Sequence, residues 1–428
     1  MGMVKRWRGL KSLVHDAVDA TTELVGEGHE STARNVRRVT DQVEELRGPA
    51  SAVDSLRRVA TRGVLGSIKL VNRTVEAVTD AGLDLAEATV LADLEAPAVV
   101  PMREDVTRSA TWVSDAAMAL VNAAVGDHLE ARGNGLGIEM QLRVGDRYAA
   151  PDVESIRNAL ADTDASPKLA VFVHGLGTTE WSWCLEAEAY HGDPAASFGT
   201  LLARDLGFTS LFVRYNTGRH ISENGRALAD LLDALVEASP VPIEDLTLVG
   251  HSMGGLVVRS ACAHAPRPFA EHVRRVFYLG SPHRGAPLAK LAHTLDQTLS
   301  QIDLPGTRIT SRILHQRSHG IADLRHGAVV DEDWLAPLPE ASNGTPLLDG
   351  AEHYFVSATV TRDAAHPVGA LIGDLLVRVP SASGPDVPAR ETHFPIEVRH
   401  EGGVMHHQLQ NHPAVYAQLK AACERPTE

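Results

Sequence analysis

Cysteines, aromatic side chains and long apolar runs are all scarce in this chain of 428 residues. The three cysteines, Cys184, Cys262 and Cys423, lie far apart without metal-ligand spacing, so we expect reduced thiols rather than a disulfide framework. Aromatic residues make up only 4% of the chain, so the predicted core consists mainly of Val, Leu, Ile and Ala. No run of about 18 apolar residues occurs, which predicts that no helix crosses a membrane.

Targeting and cofactor motifs are also missing. The N-terminus is basic but lacks the apolar segment of a secretory signal, so a cytoplasmic location is expected. The sequence contains no H-E-x-x-H, no paired C-x-x-C and no phosphate-binding P-loop, so we expect neither a metal nor another cofactor. A formal net charge of −15 argues against nucleic acid as a partner.

The N-terminal third of the chain has the apolar spacing of amphipathic helices. Residues 1–135 are therefore predicted to form a helical region that packs on the main domain or on a second copy of the chain. The alternative is peripheral contact with a lipid surface, led by the basic residues between Lys5 and Lys11. A glycine-rich joint at 132–137 ends this region.

A different pattern follows the joint, because apolar segments of strand length now alternate with helical patterns. These segments are residues 138–144, 168–175, 209–216, 246–252, 273–281, 353–360 and 394–400. Such alternation predicts an α/β domain over 136–428, in which helices flank a mostly parallel, buried sheet. The interval 287–350 contains no strong strand and is interpreted as a helical lid or cap insertion.

A serine lies between two glycines at the end of one predicted strand, in Gly250-His251-Ser252-Met253-Gly254. A predicted helix follows, which is the context of a nucleophile on a sharp strand-to-helix turn. Glycine at both flanks removes the Cβ atoms that would collide in such a turn, while the turn exposes the serine hydroxyl. We therefore predict that Ser252 is a catalytic nucleophile.

A nucleophilic serine also needs main-chain amides that stabilise the oxyanion formed during attack. The residue after the nucleophile, Met253, is expected to supply one amide. The loop His174-Gly175-Leu176-Gly177 directly follows a predicted strand, and its small residues allow the main chain to approach a substrate. We expect Leu176 to supply the second amide of the oxyanion hole.

The acid and the base of a triad should follow the serine in that order along the chain. Asp363 and Asp374 both follow the next-to-last predicted strand and compete for the role of the acid. His406, His407 and His412 follow the last predicted strand. His412 precedes a proline and is interpreted as a helix-start residue, so the base is His406 or His407.

Residues 138–420 resemble an α/β-hydrolase of the bacterial lipase/esterase type, related to PGAP1-like acyl hydrolases. The resemblance lies in the segments VFVHGLG, YNTGRHISENGRALADLL, VGHSMGG, YLGSPHRGAPLA, GDLLVRVPSASG and MHHQLQNHPAVYAQL. In such lipases the acid lies in an Asp-x-x-Val segment followed shortly by Ser, which implies Asp374 with Ser381 after it. The catalytic histidine opens the last loop, which implies His406.

Four further side chains flank the predicted site. Trp181 and Trp183 follow the oxyanion loop and are predicted either to line an acyl pocket for the substrate or to pack in the core. His174 and His251 are candidates for substrate contact or for support of the oxyanion loop, without a role in proton transfer.

The predicted function is that of a serine acyl hydrolase, a carboxylesterase or lipase that cleaves carboxylic esters, lipid-like ones above all. Two alternatives remain at this level. One is a helical scaffold or lipid-surface protein that carries a hydrolase-like domain. The other is a thioesterase or acyltransferase, because these reactions use the same triad.

Overall fold

The fold is described from a computed structural model of the chain. It describes residues 110–161, 163–286, 318–335, 345–359, 361, 374, 377, 379–382 and 396–425. The chain divides into two compact units, Met1–Pro97 with Leu129–Gly137 and Ala98–His128 with Ile138–Glu428. Of the first unit only residues 129–137 are described, and they turn at Gly133. The predicted helices before residue 110 lie outside the described residues, and their role stays a prediction.

Strands and helices alternate through most of the described chain. The strands are β1 (Gln141–Val144), β2 (Arg147–Ala149), β3 (Lys168–Val173), β4 (Thr209–Arg214), β5 (Asp245–His251), β6 (Val273–Leu279), β7 (Glu352–Thr359) and β8 (Ile396–Gly402). The α-helices are α1 (Ala110–Ala131), α2 (Val153–Leu160), α3 (Ala187–His191), α4 (Phe198–Leu206), α5 (Ile221–Ala238), α6 (Met253–Cys262), α7 (His319–His326), α8 (Asp331–Leu335), α9 (Val379–Ala382) and α10 (Pro413–Cys423). None of the helices in these ranges combines the length and the apolar character that a membrane crossing requires.

The strands form one sheet in the order β2-β1-β4-β3-β5-β6-β7-β8. β1 pairs antiparallel with β2 and β4, and every pair from β4 to β8 is parallel. The prediction of a mostly parallel sheet with flanking helices is therefore confirmed. The sequence patterns do not predict β2. This strand has only three residues after the turn at Gly145, which are too few to show an alternating pattern.

The core has two parts, one on each face of the sheet. Val171 and Val173 of β3 pack with apolar residues of α2, α5 and α6. Ala170 and Phe172 point to the other face and pack with residues of α4 and α10. Because both faces of the central strands are covered, these strands are apolar at nearly every position, which is why the sequence shows continuous apolar runs.

The described part of the predicted insertion 287–350 consists mainly of α7 and α8, which pack at the start of α5. The Nδ1 atom of His220 lies 3.0 Å from the Oδ2 atom of Asp323 in α7. The His220 ring also stacks between the rings of His319 and Trp334, at centroid distances of 4.1 and 3.9 Å. These contacts fix the two helices to the domain, while a lid function stays a prediction.

A buried network of charges ties α1 to the edge of the sheet. Arg214, at the end of β4, donates to both carboxylate oxygens of Glu180, at 2.6 and 2.8 Å, and to Asp115 of α1, at 2.7 Å. Tyr148 donates to Glu180 at 2.5 Å, and the guanidinium of Arg143 lies 3.7 Å from the same carboxylate. Burial opposes ionisation of Glu180, but Arg214 and Arg143 hold its pKa at about 2.

We predict that Arg214→Ala lowers the free energy of unfolding by about 3–5 kcal/mol, because two buried carboxylates lose their main cation. Urea unfolding at neutral pH measures this change. Arg204→Ala is the matched control, because Arg204 is 66% exposed and pairs with Asp205 at the surface. The control should lose less than about 1 kcal/mol, and equal losses in the two variants would contradict the prediction.

Candidate active site

Ser252 forms a strained turn between β5 and α6. Its φ of 53° and ψ of −123° lie in a region that residues with a side chain rarely adopt. β5 ends at His251 and α6 begins at Met253, so Ser252 alone makes the turn. Its amide donates to the carbonyl of Leu279 in β6 at 2.8 Å, which fixes the turn to the neighbouring strand.

The two glycines that flank this turn are required by backbone contacts. A Cβ atom on Gly254 would overlap the carbonyl oxygens of Val173 and His174 at the end of β3. A Cβ atom on Gly250 would overlap the main chain of Gly255. The start of α6 therefore lies directly against the main chain of β3, with no room for a side chain between them.

Asp374 and His406 form a buried hydrogen-bonded pair. The Nδ1 atom of His406 lies 2.8 Å from Oδ2 of Asp374. The other carboxylate oxygen accepts the amide of Val377 at 2.8 Å, and the amide of His406 donates to the Asp374 carbonyl at 3.1 Å. Main chain and side chain of the two residues are thus bonded to each other, which fixes the orientation of the imidazole ring.

The His406 ring lies near the end of β6, the strand that also accepts the Ser252 amide. A Cβ atom on Gly280 would lie 3.2 Å from Nδ1 and Cε1 of the His406 ring. The preceding residue, Leu279, ends β6 and accepts the Ser252 amide, so the imidazole and the serine approach consecutive residues of the chain. The Nε2 atom of His406 is buried and makes no hydrogen bond to any residue within the described ranges. In sites without substrate such bonds are often long and tighten when substrate binds.

Two side chains support the loop that carries His406. The Nε2 atom of His251 lies 3.0 Å from the carbonyl of His406, and burial lowers the pKa of His251 well below its ordinary value, so it donates as a neutral ring. Glu186 has a φ of 57°, and its carboxylate accepts from His407 and Gln408, each at 3.1 Å. Burial opposes ionisation of Glu186, but the hydrogen bonds to its carboxylate hold its pKa below the usual range.

The sequence analysis missed Glu186, which contacts a residue 221 positions later in the chain. No local pattern signals such a contact. The positive φ of a non-glycine residue is the feature that distinguishes it, and this feature is visible only in the structure.

The loop after β3 approaches Ser252 closely. A Cβ atom on Gly175 would lie 3.1 Å from Cβ of Ser252 and 3.2 Å from Nδ1 of His251. Leu176 is the next residue and is half-buried. Met253 is the first residue of α6, where amides have no partner within the helix. Of the two residues that the sequence predicts as oxyanion donors, Met253 follows Ser252, and Leu176 follows Gly175, the residue that approaches Ser252.

His174 supports this loop from its first residue. Its Nδ1 atom lies 3.0 Å from the carbonyl oxygen of Gly175, which also accepts the hydroxyl of Thr178 at 2.9 Å. Burial lowers the pKa of His174 to about 4, so the ring is neutral near neutral pH. The sequence predicts either substrate contact or support of the loop for His174, and these contacts agree with support of the loop after β3.

Both predicted tryptophans are buried against protein groups. The indole N–H of Trp181 donates to Asp115 at 3.3 Å, and the guanidinium of Arg143 lies 4.0 Å from its ring centroid. Trp183 packs edge-on against Phe172, with ring centroids 5.1 Å apart. The packing alternative accounts for these contacts, and a role in an acyl pocket stays a prediction.

Of the other candidates for the acid and the base, His407 and His412 make contacts of their own. Asp363 lies outside the described residues. His407 bonds Glu186, and Nδ1 of His412 accepts the amide of Ala414 at the start of α10, the helix-start position expected from the sequence. In the part of the chain that the structure describes, no three His, Cys, Asp or Glu side chains are grouped as metal ligands.

The sheet order, the helices on both faces and the strained serine after β5 are those of an α/β hydrolase, as predicted. Residues 171–344 match a family model described as a PGAP1-like alpha/beta domain. This match agrees with a hydrolase of the lipase and esterase type, so the resemblance that the sequence motifs indicated is confirmed. No curated protein sequence matches the chain.

Solved structures similar to this chain, all of low sequence identity among those compared, include bacterial and fungal lipases. The mature lipase BlEst2 of Bacillus licheniformis is 19% identical, with a TM-score of 0.41 over 61% of this chain and 93% of that chain. A lipase-esterase related protein from Clostridium acetobutylicum is 16% identical, with a TM-score of 0.35 over 60% and 94% of the two chains. Lipase B of Aspergillus fumigatus is 13% identical, with a TM-score of 0.37 over 63% and 58%.

We predict that Gly254→Ala lowers the free energy of unfolding by about 1–3 kcal/mol or more, because the new methyl group meets backbone atoms that cannot rotate away. Urea unfolding measures the change. Ser260→Ala in the same helix is the control, because the Ser260 hydroxyl makes no hydrogen bond within the described ranges. This control removes a buried hydroxyl and should leave the free energy of unfolding unchanged or raise it. A Gly254→Ala protein as stable as wild type would contradict the close contact with β3.

The low pKa of His174 predicts a loss of stability in mild acid. Above about pH 6.5 neither state binds a proton at this residue, so its contribution to stability is fully present. As pH falls from there to about 4, the unfolded chain binds the proton before the folded one does, and the free energy of unfolding decreases by at most about 1.4 kcal/mol per pH unit.

Urea unfolding between pH 7.5 and 4.5 tests this slope. His174→Gln keeps a side-chain donor for Gly175 but cannot titrate, so its stability should fall less steeply over the same range. Identical slopes for the variant and the wild type would show that His174 does not contribute.

Proposed function

We propose that the protein is a serine acyl hydrolase that cleaves carboxylic esters with Ser252, His406 and Asp374. One observation carries the proposal: a strained serine follows β5 and bonds the end of β6, near which a buried His–Asp pair also lies. Strain of this kind persists only where the surrounding structure holds it, and it is concentrated at functional sites. The order of the three residues in the chain is also that of α/β-hydrolase triads.

In the proposed reaction, Nε2 of His406 accepts the proton of the Ser252 hydroxyl while Oγ attacks the ester carbonyl carbon. The carbonyl π bond opens, and its oxygen becomes the oxyanion. Asp374 remains ionised and stabilises the imidazolium through Nδ1–H. When the tetrahedral intermediate collapses, the C–O bond to the alcohol breaks and His406 gives its proton to the leaving oxygen.

The acyl group is then bonded to Ser252 and must be released by water. His406 takes a proton from the water as its oxygen attacks the acyl carbon, and returns it to Oγ when the serine leaves. The products are the alcohol and the carboxylic acid. The amides of Leu176 and Met253 are proposed to stabilise the oxyanion in both steps, and each such donor contributes roughly 10²–10³-fold in rate.

We further propose that the substrate is lipid-like. The resemblance of the sequence motifs to those of bacterial lipases supports this choice. Thioester hydrolysis and acyl transfer use the same groups, so the distinction depends on the substrate and the acceptor offered. Contact of the N-terminal helices with a lipid surface stays a prediction.

Hydrolysis of p-nitrophenyl esters from acetate to palmitate tests the proposal. Ser252→Ala and His406→Ala should each lower kcat by about 10⁶-fold, and Asp374→Asn by about 10⁴-fold, because it supports the wrong imidazole tautomer. Asp363→Asn is the matched control and should retain wild-type activity.

A fluorophosphonate probe provides an independent readout, because it should label the wild-type protein and leave Ser252→Ala unlabelled. Equal turnover by wild type and Ser252→Ala would refute the proposed mechanism. A preference for acetate over octanoate and palmitate would contradict the lipid-like substrate alone, and faster cleavage of the matching thioesters would favour a thioesterase.

A further inference from the structure

The oxyanion loop is held at both ends by the segment that follows β4. Tyr215 donates its hydroxyl to the carbonyl of His174 at 2.8 Å, and the two rings stack with centroids 4.5 Å apart. At the other end, the amide of Gly177 donates to the hydroxyl oxygen of Thr217 at 3.3 Å. Leu176, whose amide we propose as an oxyanion donor, precedes this second contact by one residue.

The Thr217 hydroxyl matters because Gly177 is buried and has a φ of 69°. A buried amide without an acceptor costs about 1–3 kcal/mol, so loss of the hydroxyl would favour a rearrangement of the loop that finds another partner. Such a rearrangement would move the adjacent peptide, which carries the amide of Leu176. An oxyanion donor is effective only if it is already aimed at the developing charge.

Asn216, between the two loop-binding residues, faces helix α1 instead. Its Nδ2 donates to the carbonyl of Gly126 in α1 at 2.9 Å, and its Oδ1 accepts the amide of Gly218 at 2.9 Å. Its own carbonyl accepts from Asn224 of α5 at 2.9 Å. The tripeptide 216–218 is therefore bonded to α1, to α5 and to the oxyanion loop.

Glycines allow the neighbouring elements to reach the tripeptide 216–218. A Cβ atom on Gly126 would overlap Oδ1 of Asn216, and one on Gly218 would overlap the carbonyl oxygen of Asn122 in α1. From the other side, a Cβ atom on Gly320 of α7 would overlap the carbonyl oxygen of Thr217. With contacts this close on two sides, the tripeptide has little freedom to shift.

We propose that Thr217 is a positioning residue that aims the Leu176 amide at the oxyanion, and that α1 maintains Thr217 in place through Asn216. This inference rests on the proposed serine hydrolase function. It gives α1 a part in catalysis although none of its residues belongs to the proposed triad or oxyanion hole.

Thr217→Val removes the acceptor while keeping the shape of the side chain. On a p-nitrophenyl ester we expect kcat to fall about 10–100-fold with KM within about twofold of wild type, because the change affects the transition state. Thr217→Ser retains the hydroxyl and should restore kcat to within about threefold. Thr163→Val is the control, since Thr163 lies just after α2 and its hydroxyl donates to the carbonyl of Leu160, the last residue of that helix. It should leave kcat unchanged.

A double-mutant cycle tests the contribution of α1. Gly126→Ala should lower kcat, because the new methyl group displaces the Asn216 side chain. In an Asn216→Ala background that side chain is absent, so adding Gly126→Ala should lower kcat no further. Unchanged kcat in Gly126→Ala, or fully additive effects, would overturn the role of α1. Circular dichroism and thermal unfolding establish that each variant is folded.

The outcomes separate this proposal from the one on which it rests. If wild type neither hydrolyses esters nor reacts with the phosphonate, the proposed function fails. If wild type is active, the positioning role is overturned by a Thr217→Val kcat within about twofold of wild type or by a Thr217→Ser variant as impaired as Thr217→Val. It is equally overturned if KM rises in Thr217→Val while kcat is unchanged.

Discussion

The contact between the start of α6 and the end of β3 is the constraint on which the rest of the site depends. Because Gly254 lies against the carbonyls of Val173 and His174, the chain must pass from β5 into α6 within one residue. That residue, Ser252, adopts a positive φ, and its amide bonds β6. The same contact brings the loop after β3 to the serine. The backbone of Ser252, the first residues of α6 and the loop after β3 thus meet at one backbone contact.

The buried histidines of the site differ in the groups that face their rings. Burial keeps His174 and His251 neutral, and each of them bonds a main-chain carbonyl. His406 differs because its Nδ1 atom faces the carboxylate of Asp374. An imidazolium at His406 would therefore have an opposite charge within hydrogen-bond distance, in an environment of low dielectric where this attraction is strong. Among these three histidines, His406 is the one whose ring faces a carboxylate rather than a main-chain carbonyl.

The sequence predicted the sheet and the local features of the site because both depend on neighbours in the chain. Continuous apolar runs indicate buried parallel strands, and the glycines at positions 250 and 254 indicate a sharp turn around the serine. The acid could not be chosen in this way, since Asp363 and Asp374 fitted the residue pattern equally. The resemblance to lipases implied Asp374, and this residue is the one that bonds His406. Patterns also could not show whether Trp181 and Trp183 pack or bind substrate, because both uses favour the same residue type.

Contacts between distant parts of the chain left no trace in the sequence patterns. The apolar spacing of α1 predicted a buried face but not the surface that buries it, so the helix was interpreted as the end of an N-terminal region. In the structure, Ala110–His128 belongs to the same compact unit as the sheet. The helix contacts Arg214 through Asp115 and the tripeptide 216–218 through Gly126.

These two contacts of α1 lead to the same stretch of chain. Arg214 bonds Glu180, which lies just after the oxyanion loop, and Thr217 bonds Gly177 within that loop. Two contacts on the C-terminal side of Leu176, Gly177 with Thr217 and Glu180 with Arg214, thus involve the stretch of chain that α1 contacts. A helix that looked like an appendage in the sequence is, by these contacts, part of the support for the proposed oxyanion site.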